Sequence, residues 1–304
     1  MPLEILLQSA LLFATPILLA ALGELVVERG GVLNIGLEGT MLVGAFTSAV
    51  AAEASGSAMV GILAGLSGGM CVSGIFAWAA IRHRADQILV GTAINLLALG
   101  TTGALFRAIQ PQTGGFFLLP PLPVLEVPWL STLPIVGPAL FRQNVLVLGA
   151  LVLVVVFAVV LRGTGLGLRI RALGDHPEAA ASTGVRVLRD RTLLLLVGGA
   201  LGGLGGTCLA LATATTFVEG ITAGRGFIAL AIVVFARWSP IGVLAGAAFF
   251  GVASTIQFEL QATSFELPHQ IALMLPYLAT LMVLLLARGR AAEPRQLGAV
   301  HDRL

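Results

Sequence analysis

The chain has 304 residues, of which 57% are hydrophobic and only 11% charged, with 17 basic against 15 acidic side chains. A soluble domain needs roughly 25% charged residues to cover its surface, and a mean hydropathy of +1.00 excludes such a surface here. All the basic residues are arginine, the formal charge is only +2, and no arginine cluster is interleaved with aromatics, so nucleic acid is not an expected partner.

Apolar runs long enough to cross a bilayer recur along the chain, which reads as an all-α polytopic membrane protein. In chain order the predicted spans are 3–23, 32–52, 58–80, 87–108, 144–161, 192–212, 226–237, 240–258 and 268–287, nine in all, with eight or ten as alternatives. The first lacks a basic start and runs into further spans, so it reads as a span and not as a cleavable leader. Residues 227–236 are short for a full crossing, and 209–226 suit a re-entrant stretch or half-helix. Cys71 and Cys208 sit in apolar, glycine-rich segments and read as buried free thiols.

Arginine placement sets the orientation. With the C-terminus inside, Arg29, Arg82, Arg84, the six arginines from Arg162 to Arg191, Arg237 and the four of the tail face the cytoplasm. That is fourteen inside, against Arg107, Arg142 and Arg225 outside, and it places the N-terminus outside. Residues 109–143 hold seven prolines and little charge, and read as an ordered external loop. Residues 162–191 read as a charged cytoplasmic loop with a short helix at its centre, and the last seventeen residues as a disordered tail.

That short helix lies in GDHPEAAASTGV. Asp175 can cap it, Pro177 suits its first turn, and Glu178 adds negative charge near the N-terminus. Ala179, Ala180 and Ala181 give a face without bulk, and Gly184 can end it. A rigid internal knob of this kind can dock into another protein's groove; the plain alternative is a helix lying on the membrane surface.

The loop resembles the coupling segment of permease subunits in bacterial ABC importers, in the branch serving nucleosides, simple sugars and branched-chain amino acids. ERGGVLNIGLEGTMLVGAF at 28–46, ADQILVGTAINLLALG at 85–100 and GRGFIALAIVVFARWSPIGVLAGAAFFG at 224–251 resemble the same family, as does LPHQIALMLPYLATLMVLLLARG from Leu267. The ERGGVLNIGLEG and GRGFIAL wording is most similar to the smaller permease of nucleoside-type systems. The first cytoplasmic element of longer members is missing or abbreviated, so their span count cannot simply be copied.

The resemblance implies one transmembrane permease domain over 1–290, carrying the loops 109–143 and 162–191, followed by a short cytoplasmic tail over 291–304. It implies a multi-pass protein of the bacterial cell membrane whose pathway is shared with a second, related permease. It further implies a separate ATPase subunit docked on the coupling helix and an external substrate-binding lipoprotein. ATP and magnesium then belong to the ATPase, and this chain binds no cofactor. No G-x-x-x-x-G-K-[ST] stretch occurs, and the absence of lysine excludes its lysine outright. Asp175, His176, Pro177, Glu178, Ala179, Ala180 and Gly184 are the residues this reading assigns to coupling.

Polar groups inside the spans are candidates for the pathway. Asn34 and Glu38 are four residues apart, on one helical face, and Gly30, Gly31, Gly36, Gly39 and Gly44 around them give close backbone contact or a break. Glu38 either contacts the pathway or organises the fold by pairing with Arg29 or capping nearby backbone. Asn95 offers donor and acceptor together, which suits a neutral ligand such as a nucleoside, with Thr92 one turn earlier; the alternative is an interhelical hydrogen bond. Gln87 reads as interfacial. Phe46, Phe106 and Phe227 can stack on a base or simply pack. Arg225 can meet a docking partner, read an anion or snorkel, with Glu219 as a possible ion-pair partner. Arg237, Trp238, Ser239 and Pro240 read as a tight structural connection with Trp238 in an interfacial belt.

His83, His176, His269 and His301 form no ligand pair in sequence, so no metal site is expected. Asp175, His176 and Ser182 have the residue types of a triad without its G-x-S-x-G elbow, and no enzymatic activity is expected. An ion-coupled secondary transporter remains the alternative class. It would want paired carboxylates inside the spans, and the spans after residue 85 carry almost none away from their ends. Scarce membrane charge favours a neutral or zwitterionic small solute, and the resemblance puts nucleosides ahead of sugars and branched-chain amino acids.

Overall fold

The computed structural model describes residues 3–109, 117, 119–126, 128, 136–262 and 293–299. Its elements run α1 (Leu3–Arg29), α2 (Leu37–Ser55), α3 (Ala58–Phe76, extended by a π-helical turn Ala77–Arg82) and α4 (Gln87–Ile109). There follow β1 (Val124–Glu126), α5 (Val136–Phe141), β2 (Arg142–Asn144), α6 (Val145–Gly163), α7 (Gly165–Asp175) and α8 (Pro177–Ser182). The described order continues with α9 (Val187–Cys208, extended by a π-helical turn Leu209–Thr213), α10 (Arg225–Phe235) and α11 (Pro240–Ala262). The architecture is an all-α polytopic membrane bundle.

Six helices among the described residues are long and apolar enough to cross a membrane: Leu3–Arg29, Ala58–Arg82, Gln87–Ile109, Val145–Gly163, Val187–Thr213 and Pro240–Gln261. This is fewer than the nine segments expected, for identifiable reasons. The 32–52 segment gives up its first residues to a non-helical stretch and becomes α2, 19 residues carrying Glu38 and Glu53. The 226–237 segment becomes α10, only 11 residues long. The 268–287 segment lies outside the described residues.

Helices α1 and α9 form the inside of the bundle. Every residue from Ala14 to Glu28 is buried, so α1 is enclosed by protein along most of its length. Helix α9 reaches α1, α2 and α3 at once because its glycines allow backbone contact. A Cβ at Gly44 of α2 would sit 2.5 Å from Gly203 Cα, and one at Gly69 of α3 would collide with Gly199 O. Cys208 is buried in this core as expected, whereas Cys71 is exposed on the outside of the bundle, against expectation.

Two further expectations change. The 109–143 loop closes with a small antiparallel ribbon, Val124 opposite Asn144 and Glu126 opposite Arg142, a minor β addition to the α bundle. Its Glu126 and Arg142 side chains pair at 2.8 Å. Part of the tail, expected to be disordered, is anchored: Gln296 N–H donates to Gly174 O at 2.9 Å and Gly298 N–H to Gly31 O at 3.3 Å. Leu297 packs against the apolar core, which gives this segment a reason to stay down.

Candidate functional site: a helix broken inside the bundle

Helix α1 ends at Gly31, whose φ of +84° is the left-handed geometry that glycine adopts without penalty. Gly31 N–H donates to Glu28 O at 2.9 Å and Val32 N–H to Val27 O at 3.2 Å, closing the end. The chain then runs non-helically through 32–36 before α2 begins at Leu37. Backbone polar groups inside a membrane must find protein partners, and here side chains supply them. Leu33 N–H donates to Gln87 Oε1 at 2.8 Å, and Asn34 N–H to Glu24 Oε1 at 3.0 Å. Asn95 Nδ2 donates to Ile35 O at 2.9 Å while its Oδ1 accepts from Gly39 N–H at 2.8 Å.

Glu38, in the first turn of α2, reaches a second helix start. Gly224 N–H donates to its Oε1 at 2.8 Å and Gly226 N–H to its Oε2 at 2.7 Å. Gly224, with φ +80°, is the residue that opens α10. The carboxylate therefore lies at the positive ends of two helices and satisfies N–H groups left unbonded at the start of α10. Eleven residues make α10 about 16 Å long, roughly half of a hydrocarbon core about 30 Å thick. Its other end runs into Trp238, so Glu38 sits about half a membrane away from that end.

The placement of each pathway candidate follows. Asn34 is 1% exposed, and its amide has no hydrogen-bond partner among the described residues; the same holds for Glu24 Oε2. Asn95 is half-buried and spends one donor and one acceptor on the break, leaving one of each. Thr92 is exposed, and its hydroxyl donates to Ile88 O at 2.8 Å. Gln87 is 5% exposed, and its side-chain oxygen is committed to Leu33 N–H. Glu38 caps backbone and does not pair with Arg29, which instead donates to Trp238 O at 3.0 Å. Phe46 and Phe106 pack edge-on to Phe217, each with centroids 5.3 Å apart, while Phe227 is exposed. Arg225 donates to Ile221 O, and Glu219 is paired with Arg107 at 2.9 Å.

At the arginine-rich end, helices α7 and α8 meet at His176, and α8 is a single short turn and a half. Asp175 does not cap it as expected: it closes α7, and its Oδ1 accepts from Arg295 N–H at 3.4 Å. His176 takes the N-cap position with no side-chain cap bond, Pro177 is the first helical residue, and Gly184 terminates the turn at φ +89°. The face without bulk is narrower than the sequence implied. Ala180 is buried at 5%, and Pro177 is buried as well. His176, Glu178, Ala179 and Gly184 are the exposed members of the candidate coupling set.

Several structural residues were not singled out from the sequence. Glu24 and Glu28 lie one turn apart inside α1, and Trp238 Nε1–H donates to Glu28 Oε2 at 2.6 Å. Trp238 is thus 2% exposed and buried against α1, not in a belt. Arg191, 3% exposed, donates to Gly30 O and Leu173 O. Two acids at the end of an otherwise apolar span, followed by RGG, were the available signal. At the opposite end, an open cavity of about 620 Å³ is lined in part by Gln8, Ser9, Arg142, Asn144 and Thr215. Among the described residues, no group of three or more His, Cys, Asp or Glu can hold a metal ion.

A bundle with a polar break inside it and a charged helix pair at one end has the form of a membrane transport subunit. The family described as "Branched-chain amino acid transport system / permease component" matches residues 6–286. The chain is 38% identical to the guanosine ABC transporter permease protein NupQ of Bacillus subtilis, over 98% of this chain and 97% of that one. It is 35% identical to the nucleoside ABC transporter permease protein NupC of Lactococcus lactis, over 96% and 95%. It is 37% identical to the putative glucose ABC transporter permease protein TsgC13 of Haloferax volcanii, over 95% and 93%. The chain belongs to this permease family and is the permease subunit of an ABC importer for a small solute. No solved structure matches it.

Proposed function

We propose that this subunit imports a nucleoside, through a pathway that passes the break between α1 and α2. The observation that carries the reading is the polar lining of that break: amides from Gln87 and Asn95 and glycine backbone, with the Glu38 carboxylate already committed to two N–H groups. Asn95 keeps one donor and one acceptor, the complement a neutral nucleobase or ribose offers. Thr92, Asn34 and Glu38 complete the candidate pathway set. A committed carboxylate speaks against a proton carrier, and so against an ion-coupled secondary transporter. The full-length likeness to guanosine and nucleoside permeases favours a nucleoside over a sugar or a branched-chain amino acid.

The proposed assembly has an ATPase on the α8 surface, a second related permease across the pathway, and an external receptor lipoprotein. Residues 1–290 form the permease domain, with α2, α10 and residues 268–287 bringing the membrane segments to nine. The protein sits in the bacterial cell membrane with its N-terminus outside. That orientation puts the 620 Å³ cavity on the receptor side, within the roughly 300–1,000 Å³ of small-ligand pockets. Ligand binding by the receptor encoded beside this chain, followed by uptake of the same ligand with and without the chain, tests the substrate. Uptake of a sugar and no nucleoside overturns it. Orientation is tested by impermeant thiol labelling of single cysteines at Arg84 and Glu126, with Cys71 and Cys208 removed. Labelling at 126 and protection at 84 is expected, and the reverse pattern inverts the topology.

A further inference from the structure

We infer that Arg191 is a positioning residue that ties the coupling segment α7–α8 to the broken helix, so that displacement of α8 is passed to the grip of Glu38 on α10. The inference rests on the coupling reading of α8 and deepens it. Arg191 projects from the first turns of α9 and is 3% exposed. Its Nε–H donates to Gly30 O at 3.0 Å, at the end of α1, and its Nη2–H donates to Leu173 O at 3.1 Å, near the end of α7. One guanidinium thus serves the unbonded carbonyls of two helix C-termini, where a positive charge is also favoured by both dipoles. The planar fork fixes the directions of Nε–H and Nη2–H, one toward each carbonyl, which a lysine ammonium on its flexible stem does not.

The two helix ends are in direct backbone contact. A Cβ at Gly31 would fall 2.7 Å from Arg191 Nη2 and 3.1 Å from Gly174 Cα, and one at Gly174 would collide with Arg29 O. Apart from the Arg191 guanidinium, what meets at this joint is backbone. The tail closes the same joint through Gln296 N–H on Gly174 O and Gly298 N–H on Gly31 O.

From the joint a continuous set of bonds leads into the membrane. Gly31 opens the 32–36 stretch, which is held to α4 by Gln87 and Asn95. Asn95 also holds Gly39, next to Glu38, whose carboxylate carries the start of α10. On the other side of the joint, Ala180 is buried, and Val185 N–H donates to its carbonyl at 3.2 Å, which fixes α8 to the segment leading into α9. The exposed face of α8 and the half-helix α10 are therefore the two ends of one braced unit, and Arg191 is its middle.

The test uses the complete complex reconstituted in liposomes with receptor and nucleoside. Arg191→Lys keeps the charge but loses the fork. The complex is expected to assemble with full ATPase stoichiometry and to keep its basal ATP hydrolysis, while solute transported per ATP falls at least tenfold. Unchanged transport per ATP in the assembled variant overturns the inference. A failed coupling reading gives a different pattern, because bulk at Ala179 would then leave co-purification of the ATPase intact. Should Arg191→Lys fail to insert, the unaltered joint decides, through spin labels at Ser182 on α8 and Phe227 on α10. Both labels shifting between nucleotide-free and ATP-bound complexes supports the link; movement at 182 with none at 227 overturns it.

Discussion

The chain interrupts its helices at two places, and the two interruptions are completed in opposite ways. At residues 30–36 the interruption is enclosed by the bundle, and four side chains from α1, α4 and α9 bond to it, Glu24, Gln87, Asn95 and Arg191, with Glu38 just beyond holding the start of α10. At residues 175–176 the interruption is on the surface. There α8 takes its bonds locally, Ala180 N–H to His176 O at 3.0 Å and Ser182 Oγ–H to Ala179 O at 2.8 Å, with no side-chain cap at its start. The difference is the solvent: water completes an exposed helix end, whereas a buried one must be completed by protein at a cost of about 1–3 kcal/mol for each group left unmet. Removing the groups that brace the first break should therefore cost stability, whereas changes to exposed residues at the second should act on assembly.

The largest effect is expected at Glu38. Glu38→Ala removes two bonds from one charged acceptor, each worth about 1.5–3 kcal/mol, and frees the start of α10. Thermal unfolding of the purified complex should show a loss of about 3 kcal/mol or more, with uptake abolished. Glu38→Gln, which can accept one N–H but turns its own NH₂ toward the other, should fall between. A Glu38→Ala complex with normal stability would mean that the carboxylate does not hold the start of α10.

Asn95→Leu comes next, because it leaves Gly39 N–H and Ile35 O, two uncharged groups, unmet together, at about 2–6 kcal/mol for the pair. Asn95→Asp keeps the acceptor for Gly39 but sets a carboxylate oxygen against Ile35 O, so it should recover at most part of the stability. Asp at this position also separates bracing from solute contact. If substrate affinity drops tenfold in Asn95→Asp while the melting temperature barely moves, Asn95 touches the solute as well as the backbone.

The surface break is probed by a neighbouring pair. Ala180→Trp puts bulk into a buried position and should destabilise by about 1–3 kcal/mol through overpacking. Ala179→Trp points outward, so stability should stay within about 0.5 kcal/mol while co-purification of the ATPase falls and substrate-stimulated hydrolysis is lost. Equal effects of the two substitutions on melting temperature would remove the distinction between the two faces of α8.

Much of this contrast was legible before any coordinates. Apolar runs and arginine spacing located most of the helices, and Pro177 with Gly184 bounded α8 because turn and cap chemistry are local. The break at 30–36 was legible only in part: the glycines around Asn34 and Glu38 allowed a break, but the largely apolar run 32–52 suited a continuous span, and periodicity cannot report where a helix fails to start. Its cause lies in partners distant in sequence: Gln87 and Asn95 are more than fifty positions from the backbone they hold, and the glycines capped by Glu38 are more than 180 away. The side of α8 that carries Ala180 was not legible for the same reason, because three consecutive alanines give no preference and only packing against the rest of the chain decides which is buried.

The smallest expected effect comes from the glycine that closes the surface break, and its counterpart at the buried break makes it informative. Gly184 and Gly31 have nearly the same conformation, φ +89° and +84°. A left-handed conformation disfavours any Cβ by roughly 1–2 kcal/mol, with Asn tolerating it best. A Cβ at Gly184 meets nothing within 4 Å, so Gly184→Ala should cost only this conformational term and Gly184→Asn still less. At Gly31 the same Cβ is forced against Arg191 Nη2 and Gly174 Cα, so the steric cost is added to the conformational one. Gly31→Ala should therefore lower the melting temperature clearly more than Gly184→Ala, and Asn should rescue position 184 but not position 31. Equal shifts for the two alanine variants would show that backbone conformation alone sets the cost, and that the tight joint around Gly31 relaxes without resistance.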